Sequence, residues 1–218
     1  AISGWLTEKG DFGKDWAVLP KVTGGHGVHY ALHWESQHLR KLGRNFLSLG
    51  GKLGATKVAS FWAERAGIAT ARALAWPVTL LMGADLIDNA WHIAADRAKK
   101  AGLLLAETLR ANHFGSRPVT LIGFSLGARL LFYALEDLAK ANDLGIIHHA
   151  ILIGGAVTAD PDRWKHVHTV VAGKLINGYC KTDNVLSYLY RIAALQSQVA
   201  GLGPIDSSRV ENVDVTDL

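Results

Sequence analysis

Between Pro118 and Lys140 the sequence passes from a short apolar run, through Gly123-Phe124-Ser125-Leu126-Gly127, into an unbroken helical pattern. This junction narrows the folds open to the chain more than any other feature. Val119-Thr120-Leu121-Ile122 is short, apolar and partly β-branched, as a buried parallel strand requires. From Ala128 to Lys140 there is no Gly or Pro, and Leu131, Leu135, Leu138 and Ala139 recur at helical spacing. A serine placed where a strand turns into a helix, with glycine two residues to either side, can be held in a tight, strained turn that lifts its hydroxyl clear of the sheet. Gly123, Phe124 and Gly127 are therefore expected to form the turn and Ser125 to be a nucleophile. The alternative is that glycine and serine only mark an ordinary turn.

The flanking pattern supports an α/β reading. Ala1 to Leu6 resembles the exit of a strand into a glycine-containing loop, Asp15 to Leu19 a helical turn ended by Pro20, and Val28 to Trp34 a second strand with Tyr30, Leu32 and Trp34 on one face. Ser36 to Asn112 is almost wholly helical. Within it, Ala55, Ala59, Ala63 and Ala66 form a small-residue stripe, and the uncharged run Ala73 to Ala84 is too short to cross ~30 Å of hydrocarbon. A buried or lid helix is expected there, with attachment to a membrane surface as the alternative. Asn89 to Asn112 reads as an amphipathic helix whose stripe is Trp91, Ala95, Ala98, Gly102, Leu105 and Leu109. Strands at Ala150 to Ile153, Leu175 to Tyr179 and Val210 to Val215, with helices near Pro161 to His166 and Leu186 to Leu195, complete a doubly wound, mostly parallel sheet. One domain over residues 1–218, with a helical insertion at 36–87, is the expected organisation.

Composition excludes some partners. The 218 residues carry 23 Lys+Arg against 19 Asp+Glu, and the basic residues form no stripe with interleaved aromatics, so nucleic acid is not expected. Cys180 is the single cysteine, which rules out an internal disulfide and fits a reducing compartment. Without a recognisable signal peptide, the expected location is the cytoplasm or a membrane surface facing it.

A serine hydroxyl needs a histidine to take its proton and usually an acid to orient that histidine. Each should lie at the C-terminal end of its own strand. Asp183, in the loop after Leu175 to Tyr179, is the expected acid, with helix N-capping as its other reading; Asp160 and Asp162 are the runners-up. No histidine follows His168 in the sequence. His29 and His33 lie on a strand expected about 10 Å from the nucleophile strand, at ~4.8 Å per strand. The base is therefore expected beyond Leu218. Two amides should receive the oxyanion: Leu126, directly after the serine, and one from the Gly4-Trp5-Leu6 loop, with Trp5 favoured; Gly4 belongs to the same oxyanion hole, with an ordinary turn glycine as its other reading. His26, His29, His33 and His38 do not make a convincing metal set, and the chemistry requires no metal or organic cofactor.

Taken together these pieces resemble a family of α/β-hydrolases, domain of unknown function 726. The matching segments are Ser3-Gly4-Trp5-Leu6 with Asp11-Phe12 and Trp16, Tyr30-Ala31-Leu32-His33-Trp34-Glu35, Asp85-Leu86-Ile87-Asp88-Asn89, Arg117 through Arg129, Leu175-Ile176-Asn177-Gly178-Tyr179, Leu189-Tyr190-Arg191 and Val210 through Val215. The resemblance implies a Ser-Asp-His hydrolase core with a membrane-prone helical insertion, and a Gly-His pair shortly after the Asp214-Val215 strand. An ester or lipid-like acyl substrate is the expected ligand, because the insertion would form an apolar lid. A non-catalytic scaffold that binds a membrane or protein partner through the insertion is the alternative.

Overall fold

The computed structural model describes residues 1–6, 12–13, 16–52, 84–111, 117–183, 185–187, 189 and 198–217. The alanine stripe from Ala55 to Ala66, the uncharged run from Ala73 and most of the helix expected near 186–195 lie outside the described residues.

Four strands form the sheet: β1 (Val119–Phe124), β2 (Ile147–Ile153), β3 (Leu175–Tyr179) and β4 (Glu211–Asp214). They pair in parallel in the order β1-β2-β3-β4, with Phe124 opposite Ile153, Ile153 opposite Gly178 and Tyr179 opposite Asp214. All four C-terminal ends thus emerge along one edge. On the free side of β1, Ile2 forms a parallel bridge to Gly123; its N–H donates to Ile122 O at 2.8 Å and its C=O accepts from Phe124 N at 3.0 Å. Farther out, the Ala1 ammonium donates to Tyr30 O and Ala1 O accepts from Leu32 N, the pattern of a parallel pair. The spatial order is therefore 30–32, 1–2, β1, β2, β3, β4. The chain reverses its direction of travel across the sheet between Ile2 and β1, which is the switch point where doubly wound sheets open a crevice beyond their strand ends.

Sequence and structure differ at the edge. Val28 to Trp34 is extended chain in which Tyr30 and Leu32 pair with Ala1, short of the repeated pairing that defines a strand. The expected common face is uneven as well: Tyr30 is 59% exposed and Trp34 6%. Pro20 does not end a turn but opens the short helix α1 (Leu19–Val22), where its missing N–H costs no hydrogen bond.

Among the described residues four longer helices follow: α2 (Ser36–Lys52), α3 (Ala84–Arg110), α4 (Leu126–Ala141) and α5 (Pro161–His168). The α4 helix packs between α3 and α5 and buries Leu130, Leu131, Phe132, Leu135 and Leu138 completely. The expected stripe of α3 is its buried face, including Trp91, Ala98, Leu105 and Leu109. At the α3–α4 crossing, a Cβ on Gly102 would lie 2.5 Å from Leu130 O, so the backbones meet at a distance only glycine permits. Phe132 packs against Trp164 of α5 with ring centroids 5.2 Å apart, and Arg163 grips Glu136 through two bonds of 2.8 and 2.9 Å. Among the described residues no helix is long and apolar enough to cross a membrane.

Candidate active site

Ser125 occupies the single residue between β1 and α4, with φ 56° and ψ −118°. A non-glycine residue pays ~1–3 kcal/mol for such a conformation, and such strain persists only where the surroundings enforce it. Here they do. Ser125 N–H donates to Ile153 O at 2.9 Å, and Ser125 O accepts from Arg129 N at 3.1 Å in the first turn of α4. The flanking glycines let strand and helix close on the turn: a Cβ on Gly123 would lie 2.7 Å from Gly127 O, and one on Gly127 would lie 2.2 Å from Ile2 O.

The Ser3-Gly4-Trp5-Leu6 loop leaves the switch point beside it. A Cβ on Gly4 would fall 2.6 Å from Leu126 N and 2.7 Å from Ser125 Cβ, so this loop lies directly against the serine and the first amide of α4. That amide belongs to a helix N-terminus, where N–H groups lack intrahelical acceptors and the dipole favours negative charge. Two indoles fix the loop from below: Trp34 Nε1 donates to Ser3 O at 3.0 Å and Trp16 Nε1 to Ser3 Oγ at 3.0 Å. Leu6 N–H donates to Leu39 O of α2 at 3.4 Å. Neither tryptophan figured among the expected site residues, although tryptophans near a glycine loop are a readable sign of a pinned backbone.

Asp183 lies three residues beyond Cys180, which directly follows β3. Its Oδ1 accepts from Leu186 N at 3.0 Å and its C=O from Ser187 N at 3.0 Å, so it caps the helical turn 185–187. The capping reading of Asp183 is thus realised. Asp183 also lines the same pocket as Ser125, together with Trp5, Leu42, Trp91, Phe124, Gly154, Val185, Leu186 and Leu189. The runners-up are elsewhere: Asp160 is exposed and caps α5 through Asp162 N and Arg163 N, and neither Asp160 nor Asp162 lines the pocket. The pocket is largely apolar, and its free space is about 20 Å³, room for about one water molecule.

A polar strap joins the acid loop to the end of β4. Lys181 Nζ pairs with Asp214 at 2.7 Å, Lys181 N–H donates to Thr216 Oγ1 at 3.0 Å, and the Thr216 hydroxyl and amide both donate to Asp214 Oδ1. The Lys181 ammonium and the Thr216 donors hold the Asp214 carboxyl at about 2, below its ordinary 3.8.

No histidine among the described residues lines the pocket. His29 shares a hydrogen bond with Thr23, His33 packs on Phe12, His38 pairs with Glu35, and His148 and His149 stack at 3.9 Å. Among the described residues no three His, Cys, Asp or Glu side chains converge to hold a metal ion.

A parallel sheet with helices between its strands, carrying a strained serine at its switch point, is an α/β fold of the hydrolase-like class. The chain belongs to the family described as Protein of unknown function (DUF726), which matches residues 1–218. It is 39% identical, over 97% of its own length and 34% of the relative's, to an "Uncharacterized membrane protein" of Caenorhabditis elegans. It is 37% identical to "Transmembrane and coiled-coil domain-containing protein STS1" of Oryza sativa subsp. japonica, over 100% of this chain and 32% of that protein. To "Probable lipase MIL1" of Saccharomyces cerevisiae it is 32% identical, over 99% of this chain and 20% of that protein. The chain thus spans about a third or less of the length of these relatives. No solved structure matches it.

Proposed function

We propose that this chain is the catalytic core of a serine hydrolase that cleaves esters with an apolar acyl group. The observation that carries the reading is the enforced φ 56°, ψ −118° conformation of Ser125, in a pocket that Asp183 and Trp5 also line. Ser125 Oγ attacks the ester carbonyl and gives up its proton to a histidine that Asp183 orients; the Leu126 and Trp5 amides receive the oxyanion. The protonated histidine returns its proton to the departing alcohol. Water then attacks the acyl-serine with the same histidine as base, and the acid and the free enzyme are released. None of these steps needs a metal or organic cofactor.

On this reading a histidine reaches Ser125 from beside the end of β4. Thr216 lies against Lys181, two residues from Asp183, so the end of β4 lies beside the acid. The apolar lining by Leu42, Trp91, Phe124, Leu186 and Leu189 favours a hydrocarbon acyl group, and the lipase name of the yeast relative agrees with it. Because the pocket has room for only one water, an acyl chain enters after its lining side chains move. Helix α2, whose Leu42 lines the pocket, covers the serine in this reading, and the membrane-protein names of the relatives favour work at a membrane surface.

The test is hydrolysis of a p-nitrophenyl ester series of increasing acyl length by the intact protein and its Ser125→Ala variant. Activity rising with chain length and falling by roughly 10⁴-fold or more in the variant is expected. Equal turnover by both proteins would refute the assignment and leave the fold as a binding scaffold.

A further inference from the structure

Helix α2 has two unlike sides. Leu39 and Leu42 are buried, and Leu42 lines the Ser125 pocket. Gln37, His38, Arg40, Lys41 and Arg44 instead line an open hollow of about 600 Å³. Positions 37, 40, 41 and 44 recur at three- and four-residue spacing, so they share one stripe ~10 Å long. The sequence from Ser36 to Lys52 contains Arg40, Lys41, Arg44 and Lys52 and no Asp or Glu. Glu35, the carboxylate that precedes the helix, is bound by Arg97 at 3.0 Å and pairs with His38 Nδ1 at 3.0 Å. Arg40 Nε is buried and has no acceptor. Arg40 as a whole is half-buried, and a guanidinium fork matches the oxygens of a phosphate.

We propose that this hollow binds the phosphate of an anionic phospholipid headgroup and docks α2 on a membrane surface. The hollow is open and runs along a helix, as suits a plane of headgroups; a single free phosphate would call for an enclosing cradle. Each cation near such a surface contributes attraction that fades within a Debye length. The ester pocket lies across the same helix, ~10–12 Å away. Docking therefore holds against the lipid the helix whose other side, through Leu42, covers Ser125; in that respect alone the proposal rests on the hydrolase reading.

The test is flotation of the 218-residue chain with vesicles of phosphatidylcholine alone or mixed with phosphatidylserine, at low and raised salt. Retention only on the phosphatidylserine vesicles, weakened by salt, is expected. Lys41→Gln should reduce retention about fivefold and Arg40→Gln by a similar factor, the equivalent of ~1 kcal/mol per cation, while Lys165→Gln on the exposed side of α5 should leave it unchanged. Lys41 is exposed, so its variant carries the test even if Arg40→Gln unfolds. Equal retention on both vesicles, wild-type retention by Lys41→Gln, or an equal loss in Lys165→Gln would overturn the proposal. So would inorganic phosphate binding without vesicle binding. Ser125→Ala should float like the wild type, which separates failure of this site from failure of the hydrolase reading.

Discussion

Gly4→Ala tests the junction between the Ser3-Gly4-Trp5-Leu6 loop and the nucleophile turn. The new Cβ would lie 2.4 Å from Phe124 O, 2.6 Å from Leu126 N and 2.7 Å from Ser125 Cβ. Two of these three atoms are backbone, and none is the end of a flexible side chain. Relief to an ordinary contact needs the loop or the turn to move by about 1 Å. Overpacking of this kind costs ~1–3 kcal/mol, which lowers Tm by roughly 2–12 °C in a domain of this size. A 1 Å misplacement of reacting groups costs ~10²-fold, and loss of one oxyanion donor ~10²–10³-fold. The assay is kcat/KM of the intact protein on its best p-nitrophenyl ester, with thermal unfolding alongside. Gly203→Ala is the control, since nothing lies within 4 Å of its Cβ and its φ of −165° suits any residue. Wild-type kcat/KM and Tm in Gly4→Ala would refute the claim that this loop and the serine are built against each other.

Asp183→Asn keeps a good N-cap and removes the charge, whereas Asp183→Ala removes both. The first should leave stability within about half a kcal/mol of wild type while cutting kcat by ~10³–10⁴-fold, and the second should lose ~1 kcal/mol of stability as well, read by the same two assays. For Asp214 the folded carboxyl titrates at about 2 and the ordinary value is 3.8, so its contribution to stability is present above ~pH 4 and is lost as pH falls through about 2. Carboxyl carbon NMR should show that midpoint, and Lys181→Gln should raise it. Arg129 donates from Nε to Ala95 O at 3.0 Å and from its terminal nitrogen to Ala156 O at 2.8 Å, joining α3, α4 and the loop after β2. Arg129→Met should cost ~2–3 kcal/mol in denaturant unfolding.

Much of the strand and helix order was legible because it depends on local pattern. The run before Ser125 and Leu175 to Tyr179 are short, apolar and bounded by turn residues, and both are strands. Helix α4 starts at Leu126 instead of Ala128, because the turn is a single residue. Strand β2 begins three residues early, with the polar His148 and His149 near its start, where burial is incomplete and alternation gives no warning. The edge failed for the opposite reason. Val28 to Trp34 has strand-forming residues, yet strand status depends on a neighbour, and among the described residues only Ala1 pairs with it. Long-range ties were not legible at all. That Trp34 holds Ser3, that Arg129 reaches Ala95, and that Leu42 and Trp91 close the pocket over Ser125 depend on the reversal at the switch point, which no local window contains.

The central claim is that Ser125 is an activated nucleophile. Incubating the intact protein and its Ser125→Ala variant with a fluorophosphonate, then weighing each by mass spectrometry and mapping the adduct, addresses it most directly. One adduct per chain is expected, on Ser125 and absent from the variant. No adduct on the wild type, or equal labelling of the variant, would contradict it.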